Sequence, residues 1–388
     1  MITSEQALYS YFGLIMVISL WYLVKEEFLS EEWKILNFFE VWFLLALCVI
    51  SFGFILYCNN IYWSVFALEL QSFLIFGSCA LLSTNNLLKV IESSLSYLIP
   101  AFFSFFLMLS SICIIEIHRE FWGLGNFLLL SAVMVKMGVI PFSFWVNNVM
   151  KNLTFNSIIL LTFINKLSVL LILIMYFSHL WYVLGLCGIG SIIFGSFLMV
   201  NTPKTKEMIA YSSIINSGWL SLLVATFSRF TVELENNKAI LGLFYFTYIL
   251  SILVFINTNQ NKSPFLKDIN NSTQVKKSSI MGNSLTYASL LSMSGMPPYA
   301  GFIIKYLVLI QVIGLFSFQL AMVIIALSIL ATFCYIRPII SFSYPEVYKL
   351  TNPHLLYPPK KHKTGTNTLI IISFNTILLI TAVFLITQ

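Results

Sequence analysis

The chain has 388 residues, of which 59% are hydrophobic and only 9% are charged. A soluble protein of this length carries far more charge on its surface, so a mean hydropathy of +0.91 excludes that class. The net charge of +6 comes from short basic loops that face solvent or lipid headgroups, and we expect no binding of nucleic acid.

Apolar runs of about 20 residues recur along the whole chain, and this length crosses a bilayer as a helix. Backbone groups inside lipid must be hydrogen-bonded within their own segment, so the sequence predicts an all-α polytopic membrane protein. About twelve transmembrane helices are predicted, at residues 7–25, 38–58, 61–82, 92–117, 121–147, 154–177, 180–200, 207–227, 239–257, 284–313, 316–342 and 367–387. The first run follows an acidic start, Ser4-Glu5, and is interpreted as a retained helix rather than a signal peptide.

The loops predict an orientation in the membrane. Of the 21 Lys and Arg residues, four lie inside predicted spans, fourteen on the side reached after every odd-numbered helix, and three on the other side. The positive-inside rule makes the basic side the cytoplasm or an organelle matrix, with both termini on the opposite side. The excess of Lys over Arg and the 36 Phe residues are typical of A+T-rich coding sequence, such as many organelle genomes have.

Two of the predicted spans stand out as interrupted by proline. One carries Pro141 in "VMVKMGVIPFSFWV", and the other carries Pro297 and Pro298 in "LSMSGMPPYAGFIIKY". A proline removes a backbone hydrogen bond and clashes with the preceding turn, so each helix is expected to break there. Unwound backbone at membrane depth is tolerated where it is buried in protein or lines a wet cavity.

The two broken spans occupy matching places in the predicted order of helices. Each is the fourth member of a set of five, and the two run in opposite directions across the membrane. This arrangement predicts two inverted five-helix repeats, as in many ion-transporting proteins. The repeats cover 38–177 and 180–342, between an N-terminal helix and acidic loop at 1–37 and a basic-side loop with a last helix at 343–388.

Four ionisable residues lie well inside predicted spans: Glu69, Lys136, Lys166 and Lys305. A charge at the bilayer centre costs at least ~2.5–3.5 kcal/mol, so such residues mark partners or pathways by default. Burial disfavours the ammonium form of lysine and a nearby carboxylate favours it, so motion of Glu69 relative to Lys136 would load or release a proton. Lys166, at a similar predicted depth, would receive it, and Lys305 would pass it on. An arginine could not do this, because it does not deprotonate.

The sequence also allows other interpretations of these charged residues. Glu69 and Lys136 could form a purely structural ion pair, and Lys305 could extend towards the membrane interface. The sequence has no Walker loop, HExxH motif, paired cysteines or GxGxxG opening a soluble βαβ unit. We therefore expect this chain to bind no nucleotide, metal or iron–sulfur cluster itself.

Four segments resemble the antiporter-like membrane subunits of respiratory complex I. They are "LELQSF" (68–73), "VKMGVIPFSFWV" (135–146), "KEMIAYSSIINSGW" (206–219) and "SMSGMPPYAGFIIKY" (292–306), with "LLTFINKLSVL" (160–170) in support. The resemblance implies an inverted-repeat fold and a proton path within NADH:ubiquinone oxidoreductase. It assigns the relay to Glu69, Lys136, Lys166 and Lys305, and the third segment adds the secondary candidates Lys206, Tyr211, Ser212 and Ser213.

The resemblance also implies where the redox chemistry lies. NADH, FMN, iron–sulfur clusters and ubiquinone belong to partner subunits, and neighbouring antiporter-like subunits and membrane lipid are the expected contacts. The expected location is the mitochondrial inner membrane, before a bacterial plasma membrane or a thylakoid, with basic loops in the matrix and both termini in the intermembrane space. The chain departs from the family where Ser143 replaces a frequent histidine. A stand-alone cation/proton antiporter and a structural scaffold without its own proton path are the alternatives.

Overall fold

The computed structural model describes residues 35–58, 60–81, 87–117, 122–202, 204–227, 234–259, 280–297, 299–316 and 318–343. These residues form helices joined by short connections, with no β-strand among them. The predicted spans at 7–25 and 367–387 lie outside the described residues.

The described residues form twelve helices, which we number in chain order. They are α1 (Ile35–Tyr57), α2 (Ile61–Leu81), α3 (Leu87–Ile117), α4 (Trp122–Met137), α5 (Phe144–Met150), α6 (Phe155–Tyr176), α7 (Trp181–Val200), α8 (Thr205–Thr226), α9 (Leu234–Asn259), α10 (Ile280–Ser294), α11 (Ala300–Leu315) and α12 (Phe318–Ser343).

Length and composition confirm an all-α polytopic membrane protein. Within the described ranges, six helices are long and apolar enough to cross a membrane. The two spans predicted to break at proline each appear as a pair of helices, α4 with α5 and α10 with α11. Broken helices are therefore present at both predicted places, whereas the inverted arrangement of two five-helix repeats and the four predicted segments of the chain stay predictions.

Contacts divide the chain into two compact units. The first comprises Met1–Ser191 with Ser217–Glu235, and the second comprises Ile192–Asn216 with Asn236–Gln388. Glu69, Lys136 and Lys166 belong to the first unit.

Small residues allow close helix packing within the first unit. An added Cβ at Gly188 of α7 would lie 2.9 Å from the carbonyl oxygen of Gly218 of α8, so these two backbones approach closely. Gly125 of α4 lies against Ser111 of α3, where a Cβ would be 3.3 Å from the carbonyl oxygen. Close backbone approach at small residues is the usual packing mode in membranes, where the hydrophobic effect does not drive helices together.

The break between α4 and α5 begins at a glycine. Gly138 has φ +71°, a left-handed conformation that glycine adopts without steric cost. Its N–H donates to the carbonyl of Val135 (3.2 Å), and the N–H of Val139 donates to that of Met134 (3.4 Å). These two bonds are a Schellman motif, which ends a helix and satisfies its last carbonyls. A cis Ile140–Pro141 peptide follows in the connection.

The break between α10 and α11 has the same hydrogen bonds. Gly295 has φ +79°. Its N–H donates to the carbonyl of Ser292, and the N–H of Met296 donates to that of Leu291, both at 3.2 Å. Pro297 follows in the connection, and Pro298 lies outside the described residues.

Proline alone does not explain the two breaks. Pro100 and Pro338 lie inside α3 and α12, and both of these helices continue past their proline. In both broken spans the helix ends at a left-handed glycine two or three residues before the first proline. The glycine ends the helix, and the proline that follows prevents it from continuing.

Replacing Gly301 by alanine is expected to destabilise the second unit. A Cβ at this position would lie 2.0 Å from the carbonyl oxygen of Ser292, so the start of α11 must move away from α10. We expect a loss of about 1–3 kcal/mol, the usual cost of overpacking. The measurement is thermal unfolding of the detergent-purified protein. The matched control is Gly242→Ala in α9, where an added Cβ has nothing within 4 Å and the substitution should be neutral or stabilising. Equal melting temperatures for the two variants would contradict the described packing.

Candidate functional site

Lys136 and Glu69 form a buried ion pair at the end of α4. Lys136 lies in the last turn of that helix, and its Nζ is 2.9 Å from Oε2 of Glu69 in the middle of α2. Each residue is 4% exposed. The ammonium also donates to the carbonyl of Leu68 (3.2 Å) and contacts Oγ of Ser72 at 3.4 Å. The structure therefore brings together the two residues that the sequence predicted as partners.

The energetics of this pair are close to balance. At 2.9 Å, two unit charges attract by about 6 kcal/mol at an effective dielectric constant of 20. Removing each ion from water costs several kcal/mol, which offsets most of that attraction. The ammonium also lies near the carboxyl end of α4, where the helix dipole favours a positive charge. A pair with a small net energy can be opened or neutralised by a modest change in its surroundings.

One carboxylate oxygen of Glu69 takes no part in the ion pair with Lys136. Oε2 of Glu69 binds Lys136 and accepts a long bond from Ser72 Oγ at 3.3 Å. Oε1 of Glu69 is buried and has no hydrogen-bond partner among the described residues. The hydroxyl of Tyr97 is also buried without a partner in that part of the chain, and its ring lies 5.5 Å from the ring of Trp145. Buried oxygens usually have partners, so these atoms mark a polar region inside an apolar bundle.

Trp145 fixes the connection beside the ion pair. Its indole N–H donates to the carbonyl of Val135 at 2.9 Å, one residue before Lys136. The side chain that follows the break thus satisfies a carbonyl at the end of the helix before it. The sequence contains this residue within "PFSFWV", and the structure gives it the role of holding α5 against α4.

Lys166 follows a stretch of π-helix that the sequence pattern does not indicate. Helix α6 is α-helical over Phe155–Leu160, π-helical over Leu161–Asn165 and α-helical again over Lys166–Tyr176. Lys166 is 2% exposed. A π segment leaves backbone carbonyls without their usual partners, and such segments are frequent at functional sites.

Two amide side chains connect this π segment to the ion pair. Nε2 of Gln71 donates to the carbonyl of Ile164 at 3.4 Å, and Nδ2 of Asn165 donates to the carbonyl of Lys136 at 3.5 Å. Both side chains are buried. Helices α4 and α6, which carry Lys136 and Lys166, therefore pack together at this point, and proton exchange between the two lysines stays a prediction. Gln71 and Asn165 were not singled out from the sequence; a polar amide two residues from Glu69 and another next to Lys166 were the available signals.

Lys305 lies in the second unit and reaches back across its own break. Its Nζ donates to the carbonyls of Met293 and Ser294, both at 2.9 Å, at the carboxyl end of α10. An added Cβ at Gly295 would lie 2.8 Å from Cδ of Lys305, so a glycine is needed for this side chain to pass. Each break therefore has a lysine at the carboxyl end of its first half-helix. In one break the lysine precedes the glycine, and in the other it follows.

The secondary candidates lie on α8 and have structural hydrogen bonds. Ser212 and Ser213 are buried, and their hydroxyls donate to the carbonyls of Ile209 and Ala210, both at 2.7 Å. Lys206 and Tyr211 are intermediate in exposure on the same helix. All four residues belong to the second unit, and their role stays a prediction.

The comparison with known families is decisive for the class of protein. A family described as the transmembrane region of NADH:quinone oxidoreductase and Mrp antiporter proteins matches residues 58–332. The match covers both breaks and the four charged residues of the predicted relay. The chain belongs to this family, and the family expected from the sequence motifs is confirmed.

The most similar proteins include several that bear the name NADH-ubiquinone oxidoreductase chain 2. The one from the ostrich Struthio camelus is 27% identical over 271 residues, which cover 66% of this chain and 73% of the ostrich protein. The one from the mosquito Anopheles gambiae is 27% identical over 253 residues, covering 63% of this chain and 70% of the mosquito protein.

Solved structures share the fold. A chain of respiratory complex I from Thermus thermophilus superposes with a TM-score of 0.77 at 17% identity, covering 98% of this chain and 83% of that one. A chain of the Mrp complex from Dietzia sp. superposes with a TM-score of 0.62 at 15% identity, covering 76% of this chain and 59% of that one. At these identities the likeness concerns the fold.

Removing one member of the buried pair is expected to destabilise the protein more than removing both. Lys136→Met leaves a buried carboxylate, and Glu69→Gln leaves a buried ammonium, so each single change should cost about 3–5 kcal/mol. The double variant leaves no uncompensated charge and should cost less than either single variant. Thermal unfolding of the detergent-purified protein measures the cycle.

The pair Lys204–Glu207 supplies the control. Its atoms are 3.3 Å apart, and the lysine side chain is 42% exposed. Lys204→Met should change the stability by less than ~1 kcal/mol, as for other solvent-exposed pairs. Additive effects of Glu69→Gln and Lys136→Met would show that the buried pair is not coupled.

Proposed function

We propose that this chain is a chain 2-type membrane subunit of a proton-translocating NADH:ubiquinone oxidoreductase, respiratory complex I. The observation that carries the proposal is the buried Lys136–Glu69 pair, 2.9 Å apart at a helix break, in a chain that belongs to the family. Relatives that bear the name NADH-ubiquinone oxidoreductase chain 2 support the choice of this complex over an Mrp-type antiporter.

The proposed mechanism is electrostatic. Quinone-linked changes elsewhere in the complex alter the distance or the charge of Glu69, and Lys136 responds by taking up or releasing a proton. Lys166 exchanges protons next, because Asn165 holds its helix against the backbone of Lys136. Lys305 is the proposed relay residue of the second unit. The nearly balanced energy of the Lys136–Glu69 pair supports this mechanism, because a strongly stabilised pair would resist the change.

The redox chemistry is assigned to partner subunits. NADH, FMN, the iron–sulfur clusters and ubiquinone are proposed to bind there, while this chain supplies acid–base groups alone. Other membrane-arm subunits, including neighbouring antiporter-like subunits, are the proposed protein partners, and lipid covers the outward apolar faces. Exposed apolar residues on α3, such as Ile99 and Phe106, suit a lipid or subunit contact.

The proposed location is the mitochondrial inner membrane. The relatives from an ostrich and a mosquito support it, as does the Lys- and Phe-rich composition. The basic loops are proposed to lie in the matrix and both termini in the intermembrane space, following the positive-inside rule.

Neutralising the relay lysines tests the function. Lys136→Met and Lys166→Met are each expected to lower the number of protons translocated per electron, because the side chain that exchanges the proton is removed. The measurement is the proton-to-electron ratio of the assembled complex in proteoliposomes, normalised to the amount of complex. Lys204→Met, a change of the same type at an exposed site, should leave the ratio unchanged.

The outcomes separate the three candidate functions. A normal proton-to-electron ratio in assembled Lys136→Met and Lys166→Met complexes would contradict the proposed relay. If the variants reduce assembly but keep the ratio per complex, the chain is a scaffold whose charges hold helices together. Cation/proton exchange by the purified chain in liposomes would make it a stand-alone antiporter instead.

A further inference from the structure

An exposed arginine of the second unit joins the ends of two apolar helices. Arg337 of α12 is exposed, and one N–H of its guanidinium donates to the carbonyl of Val200 of α7. Val200 is the last residue of one helix that is long and apolar enough to cross a membrane, Ser178–Val200, and Arg337 lies just before the end of another, Phe318–Ile339. The guanidinium therefore lies where both helices reach the membrane surface.

This guanidinium has donors left for a second acceptor. An arginine has five N–H donors in a planar fork, and the contact with Val200 uses one of them. The part of the chain that the structure describes gives no partner for the others. A fork of this shape matches the paired oxygens of a phosphate group. We therefore expect an oxygen-rich acceptor from outside the described chain at Arg337.

Two rows of exposed apolar side chains lead from Arg337 towards the middle of the membrane. On α12, Phe333 and Ile329 lie one and two turns before the arginine, and both are exposed. On α7, Phe197 and Phe194 occupy the last turns of the helix and are also exposed. Each turn is about 5.4 Å long, so each row is roughly 10 Å long. A cation above two apolar rows matches a phospholipid, in which a phosphate group lies above the acyl chains.

The charges of the surrounding segments favour an anionic lipid over a zwitterionic one. Neither α7 nor α12 contains an acidic residue. At the start of α8, Lys204 and Glu207 form their own ion pair, and Lys206 adds a further positive charge. The cation of a choline headgroup would be repelled by this charge and by Arg337. Basic pockets between transmembrane helices on the basic side of a membrane bind anionic headgroups.

We infer that Arg337 and the adjoining faces of α7 and α12 form a binding site for an anionic phospholipid. The phosphodiester of the lipid accepts hydrogen bonds from the guanidinium, and its acyl chains lie along the two apolar rows. The lipid would thus stabilise the contact between two helix ends that are 137 residues apart in the sequence. The inference goes beyond the proposed function and does not depend on it, because the site lies within one unit of this chain.

The test is lipid binding by the full-length chain in detergent, measured by native mass spectrometry. The probes are dioleoylphosphatidylglycerol, which is anionic, and dioleoylphosphatidylcholine, which is zwitterionic. The wild-type chain should bind the phosphatidylglycerol more tightly. Arg337→Gln should weaken that binding about tenfold, as expected for the loss of a charged hydrogen bond, and should leave phosphatidylcholine binding unchanged. Arg337→Lys keeps the charge but not the fork and should give a smaller loss.

Lys151→Gln is the matched control. Lys151 is an exposed cation of the first unit on the same predicted side of the membrane, and its ammonium contacts Oδ1 of Asn148. This variant should bind phosphatidylglycerol as the wild type does. Equal losses in Lys151→Gln and Arg337→Gln would overturn the inference, because the attraction would then be a general effect of net charge.

Three further outcomes would also contradict the lipid site. Equal binding of the two lipids by the wild-type chain would do so without any variant, and therefore also where Arg337→Gln does not fold. Displacement of phosphatidylglycerol by equimolar inorganic phosphate would make the site one for a free anion. Unchanged lipid binding in Arg337→Gln, together with lost assembly into the complex, would assign this face to a partner subunit.

Discussion

The ion pair between Lys136 and Glu69 is the constraint on which the first unit depends. Two charges in an apolar interior must be close and hydrogen-bonded, or they cost several kcal/mol. The α4 helix therefore ends level with Glu69. The backbone N–H of Gly138 and the side chains of Trp145 and Asn165 donate hydrogen bonds to carbonyls at that end of the helix. The polar groups around the pair form a connected set across α2, α4, α5 and α6, which ties the position of each helix to the charge of one carboxylate.

In the second unit, no carboxylate contacts the lysine among the residues that the structure describes. The charge of Lys305 is held by backbone carbonyls at the end of α10, where the helix dipole already favours a cation. Carbonyl oxygens attract an ammonium less strongly than a carboxylate does, and they cannot change their own charge. A lysine held in this way responds to water and to neighbouring hydroxyls more than to a partner acid. The two breaks thus share a backbone motif and differ in what controls the lysine.

Much of the fold and of the site could be predicted from the sequence, because a bilayer tolerates few backbone structures and few buried charges. Apolar runs, prolines and buried charges predicted the helices, the two breaks, and the pairing of Glu69 with Lys136. The predicted cause of the breaks, proline, was less accurate. Pro100 and Pro338 do not end their helices, and the breaks begin at Gly138 and Gly295. Hydrophobic periodicity does not distinguish a left-handed glycine from one that packs closely.

The apolar rows beside Arg337 could not be predicted for a different reason. Phe333 and Phe197 are ordinary apolar residues within long apolar helices, and nothing local distinguishes them from their buried neighbours. Their position below one guanidinium arises from the packing of α7 and α12, which is a tertiary property. The π segment before Lys166 has a consequence of the same kind. It contains one residue more than a regular turn, so Lys166 lies about 100° behind the position around the helix at which uninterrupted α-helical geometry would place it. A helical wheel drawn from Phe155 would assign this lysine, and every residue after it, to the wrong side of α6.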